Sequence, residues 1–103
     1  MNFVSTRNAN VVVRASEAIS QGISKDGGLF VPADFPFLGE SEILAMCDMD
    51  YAERAAYIFS KYLTDIGSDI ILDICRKAYA PFEEEDPAAL MKLDDDLYVL
   101  ELF

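Results

Sequence analysis

The N-terminal part of the sequence alternates between short apolar runs and turn residues. Phe3–Thr6 and Val11–Val13 are predicted to be strands, because β-branched and aromatic residues favour extended backbone. The segment between them, Arg7–Asn10, is rich in residues that hydrogen-bond their own backbone. The two strands are therefore predicted to form a β-hairpin.

A short helix is predicted next, over Ala15–Gln21. Ala15, Ala18 and Ile19 share its inner face, at the three- and four-residue spacing of helix neighbours. The start of this helix is poorly signalled. Arg14 stands where a capping serine is expected, and a cation at that end opposes the helix dipole.

The stretch 19–32 contains the strongest turn signal in the chain. Gly22 suits the left-handed conformation just past a helix, where a Cβ would clash. Asp26-Gly27-Gly28 marks a turn, because glycine reaches positive φ without steric cost. Leu29–Val31 is predicted to be a buried strand that ends at Pro32, which has no backbone N–H to donate.

A loop and a short helix are expected between residues 35 and 47. The aromatic residues of Phe35–Gly39 are predicted to be buried. Ser41 is predicted to cap a helix that runs to about Cys47, with Glu42 in its first turn.

Two longer amphipathic helices follow. The first begins at Asp50, which forms a capping-box pattern with Glu53. Its apolar positions form one continuous stripe: Ala52, Ala55, Ala56, Phe59, Tyr62 and Leu63. The second runs from a cap at Ser68 to about Tyr79. Its inward-facing residues are predicted to be Ile70, Ile71, Ile74, Cys75 and Ala78.

The C-terminal part is predicted to hold a brief strand at Met91–Leu93, an acidic turn at Asp94–Asp96 and a strand at Leu97–Phe103. Both sides of the last strand are mostly apolar, which is typical of a strand that is buried on both faces. Because a buried strand needs neighbours at both edges, we interpret the chain as a piece cut at a domain junction. The predicted fold is α+β: an N-terminal β-hairpin and short strands packed with three to four α-helices.

Length, charge and cysteine content limit the classes of protein to which the chain can belong. The chain has 103 residues, which indicates one domain, 1–103. Its net charge of −11 argues against nucleic acid and anionic membranes as partners, since phosphates repel such a surface. No apolar run is long enough for a membrane span or a leader. The two cysteines, Cys47 and Cys75, lie in apolar helical patterns and are predicted to be buried thiols in a reducing compartment.

Candidate catalytic groups find little support in the sequence. Histidine is absent, which removes the commonest general base and metal ligand. The serines therefore lack an activating histidine: Ser5, Ser20, Ser24 and Ser60. The lysines lie in polar surroundings, without the apolar setting that favours Schiff-base chemistry: Lys25, Lys61, Lys77 and Lys92.

Three further patterns each have a simpler structural interpretation. The acidic runs Glu83–Asp86 and Asp94–Asp96 offer oxygen ligands to a hard cation, but their spacing does not match a calcium loop, and solvated turns are expected. Gly27-Gly28 offers a backbone cradle for an anion, but it lacks P-loop or dinucleotide spacing, so a plain turn is expected. Three aromatic residues are expected to make core or partner contacts: Tyr57, Phe59 and Tyr62.

The sequence as a whole resembles the N-terminal segment of the threonine synthase family. The resemblance is carried by segments along the whole chain: Phe3–Arg7, Glu17–Gly22, Asp26–Pro32, Tyr51–Leu63, Ser68–Tyr79 and Leu93–Phe103. The block Asp-Gly-Gly-Leu-Phe-Val-Pro at Asp26–Pro32 is the most recognisable of these. Arg14 departs from the serine usual in the family, which affects helix stability rather than membership.

The resemblance implies a cytoplasmic enzyme with a catalytic body of fold type II, like the tryptophan synthase β-subunit. Such an enzyme converts O-phospho-L-homoserine and water to L-threonine and phosphate with pyridoxal phosphate (PLP) as electron sink. In the family, the strand resembled by Leu93–Phe103 leads into a His-Gly-Pro-Thr motif and the PLP-binding lysine. No catalytic, cofactor-binding or metal-binding residue is therefore assigned to this chain. We expect it to bind no PLP itself and to pack as scaffold on the catalytic domain of the same polypeptide.

A second interpretation of the chain is also compatible with the sequence. The chain is then a free-standing acidic interaction module that uses Leu97–Phe103 to pair with the sheet edge of a partner. Under either interpretation, self-association through this exposed strand is expected for the isolated chain.

Overall fold

The computed structural model describes residues 1–82 and 87–102. This described part combines two small antiparallel sheets with four α-helices, which confirms the predicted α+β class. The strands are β1 (Asn2–Ser5), β2 (Val12–Arg14), β3 (Phe30–Pro32), β4 (Leu90–Asp94) and β5 (Leu97–Leu100). The helices are α1 (Ala15–Gln21), α2 (Glu40–Met46), α3 (Tyr51–Tyr62) and α4 (Ser68–Tyr79), and a 3₁₀ turn (Ala80–Phe82) follows α4.

Strands β1, β2 and β3 form a sheet with β1 in the centre. The predicted hairpin is confirmed, since Phe3 of β1 pairs with Val13 of β2. On the other side of β1, Phe3 pairs with Pro32 and Val4 with Val31. Strand β3 is an edge strand, the place in a sheet where proline is tolerated. Its predicted burial is wrong, because Val31 is 38% exposed and no layer of the described chain covers it.

Helix α1 has the predicted bounds and lies on this sheet. Ala15 and Ala18 are buried, as predicted, but Ile19 is 63% exposed and its predicted inner position is wrong. The short helix approaches β1 and β2 through its small side chains, which leaves Ile19 at the rim. At the end of α1, Gly22 has the predicted positive φ, +72°, but ψ is −70°. This is a γ-turn, closed by the N–H of Ile23 bonded to the Gln21 carbonyl at 2.9 Å.

The start of α1 is capped from a distant part of the chain. Arg14 occupies the N-cap and makes no side-chain capping bond. Instead, Asp65 Oδ2 accepts hydrogen bonds from the Ser16 hydroxyl at 2.6 Å and the Ser16 backbone N–H at 3.1 Å. Both bonds lower the pKa of Asp65, and the bond from the hydroxyl has the larger effect. A carboxylate at this position also complements the helix dipole, so Asp65 supplies what Arg14 does not.

Helices α3 and α4 pack against each other and enclose the main core, which consists of Ala56, Ile71 and Cys75. Helix α3 begins with the predicted capping box: Asp50 Oδ1 accepts from the Glu53 N–H at 2.8 Å, and Glu53 Oε2 accepts from the Asp50 N–H at 3.1 Å. Half-buried apolar residues surround this core: Ala52, Ala55, Leu63, Ile66, Leu72 and Tyr79.

The predicted inner face of α4 is only partly correct. Ile71 and Cys75 are buried, but Ile70 and Ile74 are 53% and 54% exposed and Ala78 is also exposed. The apolar stripe of α4 is wide, whereas α3 alone covers only a narrow part of it.

Two predicted serine caps are wrong. Helix α2 is preceded by Gly39, so that Ser41 lies inside its first turn, and α4 is preceded by Gly67, so that Ser68 is its first residue. Glu42 gives the reason at α2. Its Oε2 accepts a hydrogen bond from the Gly39 N–H at 2.9 Å and thereby fixes the start of the helix before Ser41.

The predicted burials of Phe35, Phe37 and Cys47 are also wrong. Phe35 and Phe37 are 84% and 85% exposed, because no element of the described chain packs against their loop. Cys47 is exposed, whereas Cys75 is buried as predicted, and burial raises the pKa of the Cys75 thiol. Neither thiol is in a disulfide.

Strands β4 and β5 form a second hairpin around the predicted acidic turn, here Asp95-Asp96. The last strand, predicted over Leu97–Phe103, ends at Leu100, and Phe103 lies outside the described residues. All residues of both strands are exposed, so the predicted burial of the last strand is not met by the described part of this chain. The radius of gyration is 16.3 Å, against about 13 Å for a compact chain of this length. Among the described residues, no helix has the length and apolar character needed to span a bilayer.

Candidate functional site

The turn between α1 and β3 holds the densest polar cluster near the sheet. The Asp26 carboxylate accepts hydrogen bonds from the Ser5 hydroxyl at 2.8 and 2.9 Å and from the Gly28 N–H at 2.9 Å. The Arg7 guanidinium donates to the Asp26 carbonyl at 3.1 Å. The Gly28 amide, followed by the Ser5 hydroxyl, lowers the pKa of Asp26. The cluster therefore holds an ionised carboxylate that ties the turn to the end of β1.

This arrangement decides between the two interpretations of Gly27-Gly28. Gly27 has φ +81°, as a glycine turn requires. A Cβ on Gly28 would lie 2.2 Å from Ser5 Oγ, so the position admits no side chain. The Gly28 N–H that an anion cradle would offer is already bonded to Asp26. The geometry is that of a structural turn, as the sequence predicted.

A second cluster joins α2 to α3. Glu42 Oε1 accepts a hydrogen bond from the Tyr57 hydroxyl at 2.5 Å and forms an ion pair with Lys61, whose Nζ also lies 5.1 Å from the Tyr57 ring centroid. Lys61, followed by Tyr57 and the Gly39 N–H, lowers the pKa of Glu42 to about 2. The same Glu42 bond raises the pKa values of Lys61 and Tyr57. A high lysine pKa is unsuited to Schiff-base or general-base chemistry, so this cluster is a clasp between helices.

The remaining candidate serines, aromatics and lysines do not form a common site. Ser24 is buried, Ser20 is exposed, and Ser60 donates to the Ala56 carbonyl at 2.8 Å within α3. Of the aromatics expected to make core or partner contacts, Tyr57 lies in the clasp just described, Phe59 is 42% exposed and Tyr62 is half-buried. The remaining lysines are solvent-exposed: Lys25, Lys77 and Lys92.

The acidic turn is solvated. Asp95 lies at the tip of the second hairpin, where its carboxylate pairs with Lys92 at 3.3 Å. Asp94 accepts a hydrogen bond from the Asp95 N–H at 2.8 Å. No group of three or more side chains that could hold a metal ion occurs among residues 1–82 and 87–102. The run Glu83–Asp86 lies outside the described residues.

The described residues also form apolar surface features. An open depression of about 530 Å³ lies along α3 and α4, and its lining includes Met49, Ala56, Tyr57 and Leu72. Exposed large apolar side chains also cover the loop before α2 and both strands of the second hairpin. Contiguous exposed apolar surfaces of this kind are typical of sites that contact another polypeptide, a membrane or a ligand.

Sequence comparison identifies the family of the chain. The family described as threonine synthase N terminus matches residues 2–79. The chain belongs to the threonine synthase family. Threonine synthases of Methylobacillus glycogenes and Escherichia coli are each 33% identical to it, over 99% and 100% of the chain.

Solved structures agree with this assignment. The crystal structure of threonine synthase from Escherichia coli superposes on the whole chain with a TM-score of 0.84 at 32% identity. PLP-bound threonine synthase from Brucella melitensis does so with a TM-score of 0.87 at 31% identity. The chain spans only 20–23% of the length of the first relatives and 22–23% of these two structures. The threonine synthase N-terminal region is thus confirmed as the resemblance predicted. The matches lend no support to a free-standing interaction module.

Sequence reasoning missed the links between distant elements, which are the Asp26–Ser5 cluster, the Glu42 cluster and the Asp65 cap. Tyr57 and Lys61 are four residues apart on one helix face, which was a usable signal, but their partner Glu42 lies on another helix. Asp65 is 49 residues from Ser16, and no local pattern links them.

Proposed function

We propose that this chain is the N-terminal, non-catalytic domain of a cytoplasmic threonine synthase, a PLP-dependent lyase that converts O-phospho-L-homoserine and water to L-threonine and phosphate. The family match over residues 2–79, with relatives aligned along 96–100% of the chain, carries this proposal. In this role the chain acts as scaffold, and its main partner is the catalytic domain of the same polypeptide.

The described residues do not fit the cofactor. A PLP site needs a lysine with a lowered pKa and a cradle of free backbone N–H groups for the phosphate. Three lysines are paired with carboxylates and the fourth is exposed: Lys61, Lys77, Lys92 and Lys25. The Gly28 N–H is occupied by Asp26. We accordingly assign the cofactor to the part of the enzyme outside this chain.

Activity measurements test whether catalysis lies outside this chain. The isolated 103-residue chain is expected to show no PLP absorbance and no phosphate release from O-phospho-L-homoserine. The full-length polypeptide, supplied with PLP, is expected to release phosphate. Turnover by the isolated chain would contradict the scaffold role, and a full-length polypeptide that leaves the substrate intact would contradict the assigned reaction. Reading the coding sequence past Phe103 is the first step, since a continuing His-Gly-Pro-Thr motif supports the proposal.

A pair of serine variants separates scaffold from catalysis within the full-length enzyme. Ser5→Ala removes the hydroxyl bonded to Asp26, so it is expected to lower the melting temperature while kcat of the folded enzyme stays unchanged. Ser20→Ala, at an exposed position of α1, is the matched control and is expected to change neither. Loss of kcat in Ser5→Ala without loss of stability would place the cluster in the chemistry instead.

The exposed second hairpin bears on whether the isolated chain self-associates. Its apolar strands are uncovered, so weak self-association at high concentration is expected. A strictly monomeric sedimentation profile would count against this expectation.

A further inference from the structure

The open depression along α3 and α4 has the form of a groove between two helices. Its α3 wall consists of residues three and four positions apart, which share one helix face: Glu53, Ala56, Tyr57 and Ser60. Leu72 and Asp69 of α4 line the facing wall. From Glu53 to Ser60 the helix rises by about 10 Å, or two turns. The groove is therefore long enough for two turns of another helix to lie along it.

This groove is separate from the exposed apolar stripe of α4. At 100° per residue, Leu72 lies about 160° round the helix axis from both Ile70 and Ile74. The stripe and the groove thus face nearly opposite directions. A layer that packs on the stripe does not reach the groove, which needs an occupant of its own.

The floor of the groove is apolar and its shape is fixed. Met49 and Leu72 are half-buried there, and Ala56 between them is buried. The Tyr57 hydroxyl donates to Glu42 at 2.5 Å, which holds the ring in place as part of the wall. Because the wall is ordered before anything binds, an occupant loses less free energy in ordering it.

The two ends of the groove carry carboxylates. Glu53 pairs with Arg76 of α4 at 3.3 Å, and both side chains of this pair are partly exposed. Asp69 lies seven residues before Arg76, which is about 10 Å along α4. It has no ion-pair partner among residues 1–82 and 87–102. The charge of the groove therefore complements a cationic occupant.

Shape and charge together select the kind of occupant. Small-molecule sites enclose most of their ligand, whereas this groove is open. An extended peptide would find no sheet edge, because both walls are helices, and its own backbone groups would stay unpaired. A second copy would bring another chain of net charge −11 to an acidic surface. A helix that carries lysine or arginine satisfies its own backbone and complements both carboxylates.

We propose that the α3–α4 groove docks a basic amphipathic helix of a separate protein. Two apolar side chains of that helix, one turn apart, lie over Ala56 and Leu72, and its lysine or arginine side chains meet Glu53 and Asp69. This inference goes beyond the proposed function and does not depend on which reaction the full-length polypeptide catalyses.

A fluorescein-labelled model peptide tests the groove in the full-length polypeptide. The probe has roughly 14 residues, all leucine or lysine, with the leucines at the i, i+3, i+4 and i+7 spacing of one helix face. The same pattern with glutamate in place of lysine is the matched control. Fluorescence anisotropy is expected to show saturable binding of the lysine peptide, at least about 10-fold tighter than that of the glutamate peptide. Binding is expected to weaken several-fold between about 50 and 300 mM salt.

Two groove variants and their controls locate the bound peptide. Ser60→Trp fills the groove and is expected to weaken binding by more than about 10-fold, whereas Ser20→Trp, at an exposed position of α1, is expected to leave it unchanged. Asp69→Lys is expected to weaken binding about 3- to 10-fold. Asp34→Lys makes the same charge change at an exposed loop position and is expected to alter binding less than about 2-fold. Melting temperatures are measured first, and Asp69→Lys, at an exposed position, still tests the proposal if Ser60→Trp does not fold.

Three outcomes would overturn the proposal. Failure of the full-length polypeptide to bind the lysine peptide would show that its own remaining chain covers the groove. Equal binding by all four variants would place the peptide on another acidic surface. A dimer in sedimentation equilibrium that Ser60→Trp abolishes would assign the groove to a second copy.

Discussion

Replacing one buried isoleucine of α4 tests the packing of the α3–α4 core. Ile71 is 3% exposed and lies against Ala56 and Cys75. Ile71→Ala removes three carbon atoms, and neighbours as small as alanine and cysteine cannot fill the space. Buried Ile→Ala changes cost about 2–5 kcal/mol, and a poorly filled cavity places the expected cost in the upper half of that range. A loss of about 3 kcal/mol lowers the melting temperature of a domain of this size by more than about 10 °C.

Ile74→Ala is the matched control, since it makes the same change one helical turn away. Ile74 is 54% exposed, so the loss of its buried part costs about 1 kcal/mol. The higher helix propensity of alanine offsets a few tenths of a kcal/mol of that cost. Urea unfolding followed by circular dichroism at 222 nm gives both free energies, if the slope with urea is unchanged. Equal costs for the two variants would show that α4 buries its whole apolar stripe in solution, and the packing deduced here would then be wrong.

Three further substitutions test the polar links. Gly28→Ala brings a Cβ within 2.2 Å of Ser5 Oγ and is expected to cost about 1–3 kcal/mol of unfolding free energy, measured with urea. Gly39→Ala is the control and is expected to cost less, because no atom lies nearer than 3.7 Å to its Cβ. A larger cost for Gly39→Ala than for Gly28→Ala would contradict the close approach of Gly28 to Ser5. Asp65→Ala is expected to lower the melting temperature and to speed amide exchange in the first turn of α1, and unchanged exchange there would exclude the long-range cap. Glu42 has its pKa lowered to about 2 from 4.5, so its stabilising contribution is complete above pH 4.5 and is lost as the pH falls towards 2. Glu42→Gln should therefore reduce the fall in melting temperature over that range, and an unaltered acid profile would show that the clasp is absent.

The elements that sequence reasoning placed correctly are those set by neighbours along the chain. The bounds of α1, the Asp50–Glu53 capping box and the Asp95-Asp96 turn each depend on residues a few positions apart. Local hydrogen-bonding and glycine chemistry are sufficient to predict such features. The candidate site depends on distant pairs instead. Glu42 meets Tyr57 and Lys61 across two helices, and nothing in a single sequence records that approach.

The wrong burial predictions share one direction, because each residue is more exposed than its pattern predicted. Ile19, Phe35, Phe37, Ile70 and Ile74 were all predicted to be buried, and each is at least half exposed. Hydrophobic periodicity identifies the face of an element that must be covered, but it does not say which polypeptide segment covers it. In a complete small domain the cover comes from the same hundred residues, so the prediction and the structure coincide. Here the chain matches only 20–23% of the length of its relatives.

The exposure of these apolar residues also indicates where the domain makes contacts. Exposed apolar side chains that occur singly are normal on any protein, but runs of them along one loop, one helix face and both faces of a hairpin are not. If the remaining polypeptide of a threonine synthase covers these runs, the residues in them belong to the contact with the catalytic body. The disagreement between pattern and burial then outlines the docking surface of this domain: the α4 face with Ile70 and Ile74, the Phe35–Phe37 loop and the β4–β5 hairpin.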